Sequence, residues 1–311
     1  MLTWDEARQS ILDLAAGVGV EVRLHARDID GSRMVGIGQL DPVVTASVFK
    51  VPVALALAQR GHAGELDLAE EITFKPGTGP PSPYGLATFQ DSARISLGDL
   101  GLLMIGISDN VATDLVLARV GRPAVAALLT GLGLSVTAVP QDCREILDSI
   151  REDLGAADYD DDERSLAAYP LSRIMALRAL QPESTCRTTA EEMTRLLAMI
   201  WRDEAGDAAA CADVRRWMEL QVWPHRLRSG FAAADVIISG KTGTLPAIRN
   251  EVGVVEYCDG TGRYAVAVFT KAADLRARVP ARDRFIGDAA TIGVDFLRQA
   301  VAAGAPVPPA A

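Results

Sequence analysis

The first apolar stripe, Ile11, Leu12 and Leu14, follows Thr3. It predicts a helix over residues 4–16 with Thr3 as N-cap, because a threonine hydroxyl can accept one of the free amides of the first turn. Residues 20–29 then alternate, with Val20, Val22 and Leu24 against Glu21, Arg23 and His25. That period of two predicts a half-buried strand. Asp30-Gly31 is a hairpin turn signal, and residues 34–39 read as the returning strand.

From residue 46 to about 228 the pattern is mostly helical. Residues 49–59 form an apolar helix, Ser96 caps a helix running through Met104, and residues 110–120 form another. Residues 123–132 are Ala-rich, with Pro123 in the first turn, where its missing N–H costs nothing. KPGTGPPSPYG, residues 75–85, is a turn-rich loop. A helix over 190–202 follows Thr188-Thr189. The chain then returns to strands at 236–239, 250–257 and 264–270, with a turn at Asp259-Gly260, and closes with a helix over 285–302. The Pro/Ala-rich tail beyond is expected to be disordered. No internal repeat is present. The pattern predicts an α/β architecture: a sheet domain built from residues 1–45 and 229–311, with an all-helical domain, 46–228, between.

Composition narrows the function classes. The chain has 311 residues, 49% hydrophobic and 23% charged, enough apolar surface for a globular fold. A net charge of −10 argues against binding a phosphate backbone, and 5% aromatics argues against base-stacking platforms. The longest apolar run, residues 51–58, is too short to span a membrane. The N-terminus, MLTWDEARQS, carries acidic residues where a secretory leader needs a basic start, so a cytoplasmic location is expected. Cys143, Cys186, Cys211 and Cys258 form no C-x-x-C pair and are expected as reduced packing residues. His25, His62 and His225 share no metal-ligand spacing, so no metal or other cofactor is implied. The expected partner is a small molecule, neither nucleic acid nor membrane. Residues 148–165 hold eight acidic and two basic residues and read as a solvated face.

Three short motifs carry candidate chemistry. Ser47-Val48-Phe49-Lys50 puts a serine and a lysine on one face at a helix start, where the helix dipole favours developing negative charge and a desolvated lysine can act as base. Taken singly it also fits a capping serine followed by a solvated lysine. Ser108-Asp109-Asn110 lies between two predicted helices and alone is an N-cap cluster. Lys241-Thr242-Gly243 follows an apolar strand, where a cation beside a hydroxyl can hold a carboxylate. A phosphate loop at Gly240-Lys241-Thr242 is excluded, because Asp235 stands where its first glycine is required.

In this order, S-x-x-K, S-D-N and K-T-G are the signature of class A β-lactamases and penicillin-binding proteins. The chain resembles that family from its first helix to its last. The resemblance implies an antiparallel sheet flanked by the terminal helices, plus a helical subdomain, with the site at their junction. It implies Ser47 as acylated nucleophile, Lys50 as its base, Ser108 as proton relay to the leaving nitrogen and Asn110 as a contact to the substrate's side-chain amide. Lys241 and Thr242 would hold a carboxylate, and the amides of Ser47 and Thr244 would form the oxyanion hole. Arg249 is either a second carboxylate binder or a surface ion pair. Tyr84 is either an aromatic gatekeeper or loop packing. Arg228 is read as structural.

Two departures stand out. The family's Glu-x-x-Leu-Asn loop, whose glutamate activates the deacylating water, has as its nearest match Glu145-Ile146-Leu147-Asp148, one residue short and lacking the asparagine. The second is the N-terminus, from whose acidic residues no secretory leader is expected. In both respects the chain is similar to the β-lactamase-like esterase of clavulanic acid biosynthesis. The expected function is hydrolysis of a β-lactam or related cyclic amide through an acyl-enzyme at Ser47, with Glu145 the candidate base for a slow deacylation. The alternatives are an esterase, peptidase or acyltransferase on an intracellular metabolite, and a non-hydrolytic β-lactam-binding protein. A Ser-His-Asp hydrolase is disfavoured, because there is no G-x-S-x-G elbow and the three histidines have no paired context.

Overall fold

The structure, a computed structural model, describes residues 3–156, 163–276 and 279–302. The chain runs α1 (Trp4–Val18), β1 (Val20–Asp28), β2 (Met34–Ile37), β3 (Val43–Val44), α2 (Lys50–His62), β4 (Glu71–Phe74) and β5 (Ala93–Ser96). It continues through α3 (Leu97–Gly106), α4 (Asn110–Val120), α5 (Arg122–Gly131), α6 (Cys143–Leu154), α7 (Leu171–Met175), β6 (Arg187–Thr188), α8 (Ala190–Trp201) and α9 (Ala208–Glu219). It ends with β7 (Val236–Leu245), β8 (Ile248–Tyr257), β9 (Arg263–Ala272) and α10 (Pro280–Ala302).

Local chemistry fixes the element ends. Thr3 and Glu6 form a reciprocal capping box at the start of α1, and left-handed Gly19 closes it. Ser96 caps α3 through the Asp99 amide, Asp109 caps α4 through the Ala112 amide, and Thr189 caps α8 through the Glu192 amide. The buried face of α1 is Ala7, Ile11 and Ala15, a spacing of four. Leu14, counted in the stripe from sequence, is off that face and 43% exposed.

Among the described residues five strands form one antiparallel sheet in the order β2-β1-β9-β8-β7. It joins the two ends of the chain. One face carries Val22, Leu24, Ala26, Val266 and Val268 against Ile11 of α1 and Phe285, Ile286, Ala290 and Val294 of α10. The other face, with Ala265, Ala267, Phe269, Val252 and Val254, joins the larger helical core. Both faces are therefore covered, which corrects the half-buried reading of β1. His25 is fully buried because α8 covers its side, with the Thr194 hydroxyl 2.6 Å from His25 Nδ1.

The segment between is mostly helical. At its centre α2 is buried at every position from Val51 to Ala58. An all-round apolar helix of this kind belongs inside a layered domain, and each buried Leu there, such as Leu55 or Leu57, contributes roughly 1.5–3 kcal/mol. The same segment also holds the short pair β4–β5, while β6 pairs with β3. Three helices, α6, α7 and α9, emerge that the periodicity did not single out. The acidic run splits: Asp148 pairs with Arg151 on α6, and Glu152 and Asp153 pair with Arg178, while residues 157–162 lie outside the described residues, as does the tail. Cys143, Cys186 and Cys211 are buried free thiols and Cys258 is an exposed one. Among the described residues no helix is long and apolar enough to cross a membrane.

Candidate active site

Ser47 does not open α2. It lies in a 3₁₀ turn, Ala46–Phe49, and the α-helix starts at Lys50. Ala46 sits at φ 46°, a left-handed conformation that costs a non-glycine residue on the order of 1 kcal/mol and persists only where its surroundings impose it. Here they do. Thr45 donates its amide and its hydroxyl to Cys186 O, both at 3.0 Å. Asn250 on β8 donates to Val44 O and Thr45 O at 2.9 and 3.2 Å, and accepts the Thr270 amide at 3.1 Å. On the other side β7 runs directly against the turn. A Cβ on Gly243 would stand 2.5 Å from Thr45 O and 3.2 Å from both Ala46 Cβ and Val48 Cγ2. Only glycine lets the strand approach the turn that carries Ser47 this closely, with Thr244 and Ser47 on the same cavity.

Lys50 is fully buried and its ammonium has three acceptors: Ser108 O at 2.8 Å, Ser108 Oγ at 3.3 Å and Asn110 Oδ1 at 2.8 Å. Ser108 is also left-handed, at φ 62°, which turns both of its oxygens toward Lys50. Asp109 between them is fully buried. One carboxylate oxygen caps α4 at the Ala112 amide, 3.0 Å, and the other accepts the Leu86 amide at 2.7 Å. It thereby ties the Tyr84–Leu86 segment to the loop that presents Ser108 and Asn110. The sequence reading of this motif as a capping cluster describes Asp109; the flanking residues face the lysine.

Lys241 is fully buried on β7 and donates to Thr242 O at 3.0 Å. Burial, and then the neighbouring Lys50, push its ammonium well below the ordinary lysine range. Beside it lies Arg226, also buried. Arg226 pairs with Asp283 at 2.7 Å, donates to Gly243 O and Asn250 O at 3.0 and 2.9 Å, and reaches Thr244 Oγ1 at 2.9 Å. Three elements thus converge on one cation.

The open space between these groups is a cavity of about 320 Å³. Ser47, Tyr84, Ser108, Asn110, Thr242, Thr244, Arg226 and Arg249 line it, so of the sequence-selected residues all but Lys50, Lys241 and Glu145 reach its wall. Lys50 is hydrogen-bonded to the lining residues Ser108 and Asn110, and Lys241 is the chain neighbour of Thr242. Arg249 donates to Leu245 O and Ile248 O at 3.0 and 2.8 Å and forms part of the rim. The Tyr84 ring stands 5.4 Å from Trp223, which stands 6.2 Å from His225, giving one aromatic wall. Arg228 donates to Ile238 O at 2.9 Å and supports β7.

Glu145 is not brought to this cavity. It sits in the first turn of α6, where it forms a capping box with Asp142, and it pairs with Arg122 at 2.7 Å on the surface. The helix began where the sequence suggested a rebuilt loop, and capping claimed the carboxylate. The group that faces Lys50 from this side is different. Asp114 accepts the Cys143 and Arg144 amides at 2.8 and 3.1 Å, fastening α6 to α4. Burial, with Asp142 nearby, raises the Asp114 carboxyl to about 6. The buried Cys143 thiol lies within electrostatic reach of Lys50 and is pushed far up by burial, so it offers no base.

Sequence reasoning missed Arg226, Trp223 and His225. Their signal was the segment Trp223-Pro224-His225-Arg226, aromatic and basic residues together in a loop before a strand.

Comparison with known proteins agrees with this geometry. The chain matches the β-lactamase enzyme family, Beta-lactamase2, over residues 6–297, and it belongs to that family. A curated protein of Streptomyces cacaoi described as β-lactamase regulatory protein BlaB is 29% identical over 284 residues, covering 87% of this chain and 91% of that protein. A β-lactamase from Sphaerobacter thermophilus superposes with a TM-score of 0.75 at 22% identity, covering 95% of this chain and 98% of that one. The structure of PBP-A superposes with a TM-score of 0.74 at 18% identity, covering 94% and 96%.

Proposed function

We propose that this β-lactamase-family chain takes a carboxylate-bearing β-lactam, or a related cyclic amide, onto Ser47 and releases it slowly. The observation that carries the reading is the triple hold of Lys50 by Ser108 and Asn110, one turn from Ser47, behind a cavity that Ser47, Ser108 and Asn110 line together with Arg226 and Arg249. Lys50, once it has released one of its three ammonium protons, takes the Ser47 proton as Oγ adds to the amide carbonyl. The oxyanion forms against the Ser47 and Thr244 amides. The Ser108 hydroxyl gives its proton to the departing nitrogen as the C–N bond breaks and takes the former Ser47 proton from Lys50, leaving an ester on Ser47. Arg226, Thr242 and Thr244, with Lys241 behind them, hold the substrate carboxylate by charge-assisted hydrogen bonds. Water attack on the ester then needs a base within about 3 Å, directly or through one water, and Glu145 faces Arg122 instead.

That placement of Glu145, with the description of the Streptomyces cacaoi relative as regulatory, favours a second reading in which the long-lived acyl-enzyme is itself the signal. Intact-mass spectrometry after mixing with benzylpenicillin tests both. An adduct that needs Ser47 supports acylation; its lifetime separates slow hydrolysis from permanent capture. No adduct in the wild-type protein, with p-nitrophenyl acetate cleaved at Ser47, would move the assignment to an esterase.

A further inference from the structure

One wall of the cavity takes no part in the acylation chemistry. Tyr84, Trp223 and His225 line it, and their rings follow one another at centroid distances of 5.4 and 6.2 Å. They come from two loops, and hydrogen bonds of the neighbouring residues fix each loop. On one side, Leu86 donates its amide to Asp109 Oδ2 at 2.7 Å. Gly85, at φ 71°, passes so close that a Cβ there would meet the same carboxylate. On the other side, Gln221 Oε1 accepts the Thr242 amide at 2.7 Å, and Gln221 Nε2 donates to Glu251 Oε1 at 2.7 Å. Val222 donates its amide to Gly106 O, at the end of α3, at 3.0 Å. Arg226, three residues further on, is buried. Trp223 is thus presented from a short span pinned at both ends, and it stays half-buried. An aromatic face left open to a cavity favours an apolar, planar partner.

The course of this wall decides which part of a substrate meets it. At one end, Tyr84 stands two residues from Leu86, whose partner Asp109 is the chain neighbour of Ser108. At the other end, His225 immediately precedes Arg226, which reaches Thr244 Oγ1 at 2.9 Å. In the function proposed above, Ser108 protonates the leaving nitrogen, while Arg226 and Thr244 hold the carboxylate. The wall runs from the first to the second, alongside the fragment that carries both nitrogen and carboxylate.

We propose that Trp223, flanked by Tyr84 and His225, is a specificity residue that selects cyclic amides whose nitrogen-bearing ring carries an aromatic substituent next to the carboxylate. The inference rests on the acylation reading for its orientation, and the experiment below separates the two.

Two cephalosporins with the same acyl group, one bearing a methyl and the other a styryl group beside the carboxylate, form a matched pair. Their intrinsic reactivities differ, but that difference is common to every variant. The ratio of their second-order acylation constants, styryl over methyl, is expected to fall about tenfold in Trp223→Ala and to stay within about threefold of the wild-type ratio in Trp223→Phe. Where Trp223→Ala does not fold, Trp223→Leu carries the same comparison. A ratio unmoved by loss of the tryptophan overturns the proposal while Ser47 acylation stands. So does a dependence on Trp223 that appears only between benzylpenicillin and 6-aminopenicillanic acid, because the ring would then be read on the acyl side. Equilibrium binding to Ser47→Ala, with and without Trp223→Ala, repeats the measurement without chemistry. A styryl preference lost there with the tryptophan supports the proposal even where no lactam acylates Ser47, an outcome that removes the function alone.

Discussion

The carbonyl oxygen of Thr45 lies 2.5 Å from the point where a Cβ on Gly243 would stand. β7 and the turn that carries Ser47 pass in close contact at Gly243, and in the proposed mechanism this approach brings the Thr244 amide toward Ser47. Gly243→Ala should therefore push the strand away. The acylation rate is expected to fall about 10²–10³-fold, the usual effect of losing one oxyanion donor. Stability should drop by about 1–3 kcal/mol from the clash. Stopped-flow acylation with a fluorescent penicillin and urea denaturation measure the two effects; a variant with wild-type acylation would show that the close approach has no catalytic consequence.

Lys50 and Ser47 should separate cleanly. Ser47→Ala is expected to abolish the covalent adduct while leaving non-covalent binding. Lys50→Ala should slow acylation about 10²–10⁴-fold, the range for a positioned base, with little change in initial binding. Progress curves at several substrate concentrations resolve the rate constant from the affinity. An unchanged rate in Lys50→Ala would assign the base elsewhere.

The cationic wall predicts an order among the arginines. Arg226 holds Thr244 and the backbone of two strands, whereas Arg249 binds the carbonyls of its own turn. Esterifying the substrate carboxylate should weaken wild-type binding by roughly 1.5–3 kcal/mol, the scale of hydrogen bonds to a charged group. That penalty should largely vanish in Lys241→Ala and in Arg226→Lys, and persist in Arg249→Ala. If Arg249→Ala alone erased it, the carboxylate would bind at the rim.

Glu145→Gln should leave deacylation nearly unchanged. Nitrocefin is expected to give a burst equal to the enzyme concentration, then the same slow phase in both proteins. The helix loses part of its capping box and an exposed ion pair, a cost of at most about 1 kcal/mol in melting experiments. A variant that accumulates acyl-enzyme where the wild type turns over would restore Glu145 to the mechanism.

His25 predicts an acid sensitivity. Burial, with Arg27 adding to it, lowers its imidazole to about 3, and no described group is hydrogen-bonded to its Nε2. The unfolded chain protonates this histidine below its ordinary 6.5 while the native protein does not. Between those values the unfolded state binds more protons, so stability falls as pH falls, by up to about 1.4 kcal/mol per pH unit. Asp114, raised to about 6, acts in the opposite sense between its ordinary 3.8 and that value, because there the native state holds the extra proton. Urea midpoints measured from pH 7 to 4.5 should therefore fall less steeply in His25→Leu and more steeply in Asp114→Asn than in the wild type.

The sequence by itself determined the three motifs and most of the longer helices and strands. Thr3, Ser96 and Thr189 cap helices as their side chains dictate, the alternation of apolar residues located β1, and β-rich runs located the strands towards the C-terminus. Ser47-x-x-Lys50, Ser108-Asp109-Asn110 and Lys241-Thr242-Gly243 are each a few residues long, and their order along the chain is enough to recognise the family. Local periodicity could not say what covers the second face of β1, because Thr194, which meets His25, lies 169 residues further on. Nor could it choose between cations. The pairing of Thr244 with Arg249 and Thr242 with Glu251 is set by the register of β7 on β8, and the loop after α9 brings Arg226 in from outside that hairpin. Glu145 was misplaced for the same reason: whether a carboxylate faces a cavity or caps a helix depends on where α6 docks, and that is decided by Asp114, distant in sequence and adjacent in space.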